Sequence, residues 1–198
     1  MIRVAIVGNI ASGKSQVENI LLDLGYKVAD TDKINHEILN TDIETINEIK
    51  NTFSNDDILE NNTISREKLG KIVFSNKEKK EQLESILHKR IYEKVEEFFK
   101  ENKNEKVVFV SIPLLFETKQ EKTFDKIIFI SADKETRLKR LIERNNYTKE
   151  YALTRINSQM DEEEKIKKSD FVINNNSDLN DLEQSVKNVL NTLLNINL

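Results

Sequence analysis

The sequence predicts an α/β fold: a five-stranded parallel sheet layered between helices as a three-layer sandwich. Three observations predict it. Short apolar runs recur at 2–7, 26–29, 107–112, 126–131 and 170–173, and continuous apolar runs of this length suit strands buried on both faces of a parallel sheet. Stretches with helical spacing of apolar residues separate them, supplying the crossovers that parallel strands require. The first run also passes through a glycine-bearing loop straight into helical periodicity at Val17-Glu18-Asn19-Ile20-Leu21-Leu22.

The run 2–7 is wholly apolar apart from Arg3 and reads as a central strand. The loop after it, Gly8-Asn9-Ile10-Ala11-Ser12-Gly13-Lys14-Ser15, fits G-x-x-x-x-G-K-[ST] in full. A strand, such a loop and a helix form the setting of a phosphate-binding P-loop. Backbone N–H groups of Ala11, Ser12, Gly13, Lys14, Ser15 and Gln16 are expected to turn around a polyphosphate, helped by the positive end of the helix. Lys14 is placed to reach the β and γ phosphates, and the Ser15 hydroxyl to ligate Mg²⁺. The whole chain has four glycines, and two of them are Gly8 and Gly13. A chain this sparing uses glycine where the backbone needs positive φ or close approach.

The run 26–29 reads as the second strand and ends in Asp30-Thr31-Asp32. In an open parallel sheet, ligands sit beyond the carboxyl ends of the strands. If this strand neighbours the first, Asp30 and Asp32 lie near the transferred phosphate, where one carboxylate can accept a proton from an attacking hydroxyl. Asp32 is equally suited to cap the helix that begins at Lys33, and spacing leaves both readings open.

Residues 32–103 break the alternation, with no strand evident. Leu83, Ile86, Leu87, Ile91, Val95, Phe98 and Phe99 recur at helical spacing, so 76–101 reads as one long amphipathic helix, with shorter helices at 43–53 and 66–74. The region is expected to be a helical lobe inserted into a single domain spanning 1–198. The third strand, 107–112, meets the only proline, Pro113, which stops it at the ligand end of the sheet. A strand-end carboxylate for Mg²⁺ is expected in such folds, yet Ser111 stands there.

Arg137, Arg140 and Arg144 follow the fourth strand on one helix face, behind a possible Asp133 cap. Residues 145–168 are highly charged and read as a small mobile helical lid carrying Arg155. Lid arginines can neutralise charge spreading over a transferring phosphoryl group, while the bland alternative is a solvated face paired with Glu135 and Glu143. Asp178 is placed to cap a last helix at 179–195. His36 and His88 receive no role from spacing alone.

Composition bounds the partners. The 198 residues are 37% hydrophobic and 33% charged, with a net charge of −4, which argues against general nucleic-acid binding. There is no cysteine, so disulfides and thiolate metal sites are excluded and a reducing compartment is permitted. No apolar run approaches the roughly 20 residues that span a bilayer, and no signal peptide fits a chain that enters a strand at once. A cytoplasmic protein without membrane partners, monomeric or weakly homo-oligomeric, is expected.

Several motifs in this order are similar to those of the dephospho-CoA kinase family. They are the loop at 8–15, Asp30-Thr31-Asp32, Ser65-Arg66-Glu67-Lys68-Leu69, Val73-Phe74 and Leu83-Glu84-Ser85-Ile86-Leu87-His88. Pro113-Leu114-Leu115-Phe116-Glu117 follows, then 137–144, Arg155-Ile156-Asn157-Ser158-Gln159 and Ser169-Asp170-Phe171-Val172-Ile173-Asn174-Asn175. The resemblance covers nearly the whole chain. It implies a P-loop nucleoside-triphosphate-hydrolase-like fold and ATP-dependent phosphorylation of the ribose 3′-hydroxyl of dephospho-CoA, the last step of coenzyme A biosynthesis. It implies Asp32 as the base, with Arg66, His88 and the turn from Pro113 and Leu114 to Glu117 facing the acceptor. It further implies Arg140 and Arg144 near the phosphates and Asn175 near the adenine. The chain departs from the family at Asn9 and Ala11, which stand in glycine positions, at Gln16 for Thr, at Lys89 for Pro, at Arg137 for Gln and at Ser177 for Gly.

Another small-molecule kinase would share the P-loop and lid but lack the Pro113 turn and the long lobe. A GTPase switch would carry Asn-Lys-x-Asp after a strand; Asn102-Lys103-Asn104-Glu105 lacks the Asp and precedes a strand.

Overall fold

The structure, a computed structural model, describes residues 1–61 and 63–195. In chain order its elements are β1 (Ile2–Gly8), α1 (Lys14–Asp23), β2 (Lys27–Asp30), α2 (Thr31–Thr41), α3 (Ile43–Thr52), β3 (Leu59–Glu60) and β4 (Thr63–Ile64). They continue with α4 (Arg66–Ser75), α5 (Lys77–Glu101), β5 (Val107–Ser111), a 3-10 turn (Glu121–Thr123), β6 (Lys126–Ser131) and α6 (Lys134–Asn145). The chain finishes with α7 (Lys149–Asn157), α8 (Glu162–Lys167), β7 (Phe171–Asn174) and α9 (Leu179–Leu194). It divides into two compact units, one of Met1–Asp30 with the chain from Asn102 onward, the other Thr31–Glu101.

The first unit holds the parallel five-stranded sheet, in the order β2-β5-β1-β6-β7. Its core is built by Val4, Ile6, Val107, Phe109, Ile128, Ile130 and Ile173 from the strands, packed with Val17 and Leu21 of α1 and Leu182, Val186 and Leu190 of α9. β-branched residues dominate the strands, as suits a sheet covered on both faces. The condition that the second strand neighbours the first is not met: β5 lies between them, pairing Ile6 with Ser111 on one side and Asp30 with Ser111 on the other. Because every strand runs the same way, Gly8, Asp30, Ser111, Ser131 and Asn174 all finish at one edge of the sheet.

The second unit has its own core of Ile38, Ile49, Phe53, Ile58, Leu69 and Leu87, joined by Leu83 and Ile91 of α5. Leu83, Leu87 and Ile91 are four residues apart and therefore share one face of α5. α5 runs unbroken through Lys89. The region is not free of strands, as β3 and β4 form an antiparallel pair of two residues each; two-residue strands leave no periodicity to detect in a sequence.

Helix starts follow side-chain chemistry. The Asp42, Thr148, Asp161 and Asp178 side chains each accept from a backbone N–H in the first turn of α3, α7, α8 and α9. Asp133 does not cap α6 with its side chain; it stands at the cap position, and its own N–H donates to Asn176 Oδ1 at 2.8 Å. Among the described residues no helix is long and apolar enough to cross a membrane.

Candidate active site

The loop between β1 and α1 is shaped by two residues with positive φ. Gly13, at φ 93°, turns the chain into α1. Ala11 takes φ 62°, a conformation that glycine reaches without the steric cost an alanine pays. Two loop N–H groups are spent internally, Ser12 on the Asn9 carbonyl at 3.0 Å and Gln16 on the Gly13 carbonyl at 2.9 Å. Those of Gly13, Lys14 and Ser15 find no acceptor among the described residues. They cluster at the N-terminus of α1, where the helix dipole adds positive potential, and the Ser15 side chain is exposed beside them.

Both motif glycines are sterically required. A Cβ on Gly8 would lie 2.9 Å from the Ile130 carbonyl oxygen, and one on Gly13 would overlap the Asn175 amide nitrogen. Asn175 is buried, and its Nδ2 donates to the Ser12 carbonyl at 2.8 Å and to Gln16 Oε1 at 3.1 Å. The side chain thus braces the loop from β7.

The arginines of α6 separate by depth. Arg140 reaches the loop, donating to the Asn175 carbonyl at 3.0 Å and the Ser12 carbonyl at 3.4 Å. Arg144 is exposed and bonds only its neighbour, Asn145. Arg137 is buried; its Nε donates to the Ala132 carbonyl, and Nη2 lies 3.1 Å from Glu162 Oε2. Its partner is therefore Glu162, not Glu135 or Glu143.

Glu162, at the start of α8, gathers further groups. Asn9 Nδ2 donates to it at 3.2 Å and the Ser131 hydroxyl at 2.5 Å. Gln159 Oε1 accepts the Ile10 N–H at 2.8 Å. Leu141, Ala152 and Ile156 pack with Ile10 and Ala11 of the loop. The segment expected to be a mobile lid is therefore docked here on the loop itself. Its charged string gave no sign of this, since a run of Asp and Glu usually marks a solvated face. Lys165 of that string is 1% exposed, with Nζ 2.7 Å from Glu117 Oε1. Glu117, expected toward the acceptor, holds this ammonium. Pro113 and Leu114 open the turn before it, Leu114 with its side chain exposed.

A second cluster lies under Lys14. Its Nζ is 3.1 Å from Glu18 Oε1 and 2.5 Å from the Ser111 hydroxyl, which itself donates to Glu18 Oε1 at 2.6 Å. Sequence reading missed Glu18. Its signal was its position four residues after Lys14, one helical turn along the same face.

The remaining candidates fall in the second unit. Asp32 is exposed in the first turn of α2, one residue inside the helix. Arg66, exposed at the start of α4, donates to the His36 carbonyl at 3.3 Å. His88 is half-buried on α5.

A family model described as dephospho-CoA kinase matches residues 2–181. A protein of Listeria innocua named dephospho-CoA kinase is 42% identical over 196 residues, covering 97% of each chain. A solved dephospho-CoA kinase from Campylobacter jejuni superposes with TM-score 0.73 at 37% identity over 96% of both chains. The structure of TT1252 from Thermus thermophilus reaches TM-score 0.84 at 33% identity over 97% of both.

Proposed function

The chain belongs to the dephospho-CoA kinase family, and from that premise we propose how its residues divide the work of ATP-dependent phosphoryl transfer to the ribose 3′-hydroxyl of dephospho-CoA. The observation that carries the reading is the loop at α1, where three N–H groups without acceptors adjoin Lys14 and the Arg140 guanidinium contacts the same loop. That is a preorganised anion cradle. Gly8, Ala11, Ser12, Gly13 and Gln16 shape it, Lys14 and Arg140 neutralise charge on the phosphates, and Arg144 adds to them from the exposed end of α6. Asn175, which braces the loop, borders the adenine.

Mg²⁺ suits the donors present. Serine and carboxylate oxygens are hard ligands, and Mg²⁺ usually keeps its waters and the substrate phosphates rather than an all-protein cage. Ser15 would hold it, and when bound the ion would supply neutralisation of phosphate charge.

The second unit supplies the acceptor side. Asp32 takes the hydroxyl proton, and Arg66 and His88 bind dephospho-CoA. Docking of α7 and α8 on the loop excludes water and suppresses ATP hydrolysis. The reaction is placed in the cytoplasm, a reducing compartment that a cysteine-free chain permits.

The test is a coupled assay with dephospho-CoA, nucleoside monophosphates and shikimate as acceptors. Turnover is expected with dephospho-CoA alone; turnover with a monophosphate and none with dephospho-CoA would sink the reading. Asp32→Asn is expected to keep ATP binding and lose roughly 10²–10⁴-fold in kcat. Near-normal turnover in that variant would remove Asp32 from the base role.

A further inference from the structure

β5 lies beside the P-loop strand, where a P-loop enzyme usually ends its strand in a carboxylate that holds Mg²⁺. Here the strand ends in Ser111, fully buried, and the carboxylate arrives from another element. Glu18 comes up from the second turn of α1 with its side chain 4% exposed. Its Oε1 accepts from Ser111 and from Lys14 together, so one oxygen sits where the side chain of residue 111 points.

Helix stability does not account for this carboxylate. Lys preceding Glu by four residues is the weaker order for an i,i+4 pair. Desolvating a carboxylate is costly unless its partners stay in place. The main partner, Lys14, is the group a polyphosphate would draw away. When Lys14 turns to the phosphates, the buried Glu18 carboxylate keeps the Ser111 hydroxyl as a donor but loses its counter-charge and faces added negative charge.

We propose that Glu18, acting through Ser111, is the positioning residue that replaces the missing strand-end carboxylate and makes nucleotide binding depend on the divalent cation. The proposal rests on the kinase reading above. It implies that Glu18 opposes binding of metal-free ATP and favours the Mg²⁺ complex.

The experiment is calorimetric titration of ATP in EDTA and in excess MgCl₂, using the full chain. Compared are wild type, Glu18→Gln, Ser111→Ala and the double variant Glu18→Gln/Ser111→Asp. The readout is the ratio of the two dissociation constants, EDTA over Mg²⁺. Removing one buried charge should lower that ratio about tenfold in Glu18→Gln, chiefly through tighter metal-free binding. Ser111→Ala should lower it by a smaller factor. The double variant, with its carboxylate moved to the strand end, should restore it.

A ratio unchanged in Glu18→Gln, or both affinities weakened in equal proportion, overturns the proposal, since a structural role would move the two together. Should Glu18→Gln fail to fold, Ser111→Ala decides, and an unchanged ratio there overturns the proposal alike. Wild type that binds no ATP in either condition removes the kinase reading and this proposal with it. Wild type that phosphorylates dephospho-CoA while the variants keep its ratio removes this proposal alone.

Discussion

Lys165 of α8 and Glu117 of the turn after β5 form an ion pair of 2.7 Å in which the lysine side chain is 1% exposed and the glutamate 27%. The asymmetry decides what mutation does. Glu117→Gln leaves an ammonium buried with no counter-charge, which costs several kcal/mol at a fully buried site. Lys165→Met leaves a carboxylate that water already reaches. We expect Glu117→Gln to destabilise by about 2–3 kcal/mol and Lys165→Met by about 1 kcal/mol or less. Urea unfolding of both variants gives the order; Lys165→Met as the more damaging change would refute it.

Ala11 sits at φ 62° in the loop. Alanine to glycine in an ordinary loop loses roughly 0.4–1 kcal/mol by loosening the unfolded chain. Here relief of a left-handed alanine, worth about 1–2 kcal/mol, works the other way. Ala11→Gly should be neutral or stabilising by up to about 1 kcal/mol, with ATP affinity kept. A thermal scan that shows clear destabilisation would mean the loop holds alanine without strain.

Gly13→Ala meets both obstacles at once, a φ of 93° and overlap with the Asn175 amide. The variant must either displace Asn175 or rotate the start of α1. We expect at least tenfold weaker ATP binding, on the order of 1.4 kcal/mol or more, read by the same calorimetry. Unimpaired binding would show that Asn175 is not a required brace.

Asp42 caps α3, its Oδ1 accepting from the Thr45 N–H at 2.9 Å, while Arg90 lies 2.6 Å from Oδ2. Burial pushes its carboxyl pKa up, but the bonds from Thr45 and the Arg90 guanidinium outweigh that and hold it below the ordinary 3.8. A carboxyl depressed in the folded state contributes stability above its unfolded pKa and loses it as pH falls through the folded value. Asp42→Asn keeps a capping oxygen and removes the charge. The wild type should be more stable by about 1–2 kcal/mol at pH 7, and this gap should shrink as pH drops below 3.8. A gap that stays constant into acid would assign the effect to the cap alone.

Strand positions were readable because each buried strand is a short apolar run, and α5 because Leu83, Leu87 and Ile91 repeat at helical spacing. The order of the strands was not. That β5 enters between β1 and β2 follows from how crossovers pack, and no local pattern records it. The same reason hid half the site. Asn9, Ser131, Arg137 and Glu162 meet only once the sheet edge and α6 are in place. Glu18 could be placed on Lys14's face from spacing, but its bond to Ser111 needed the register of β5 on β1.

The insertion of 31–101 between β2 and β5 also has a kinetic side. β1 is central in the sheet, yet both of its partners, β5 and β6, are synthesised about a hundred residues after it. During translation β1 and β2 emerge first and must wait, with their strand edges unpaired and open to other chains. The inserted unit, which carries its own core, can complete folding in that interval and draw the ends of the long loop together, lowering the entropic cost of closing the sheet. A nascent chain halted once residue 101, but not yet β5, has left the ribosome should therefore protect α2 to α5 from protease while β1 is still cut, and protection of β1 should appear only once β5 and β6 have also emerged.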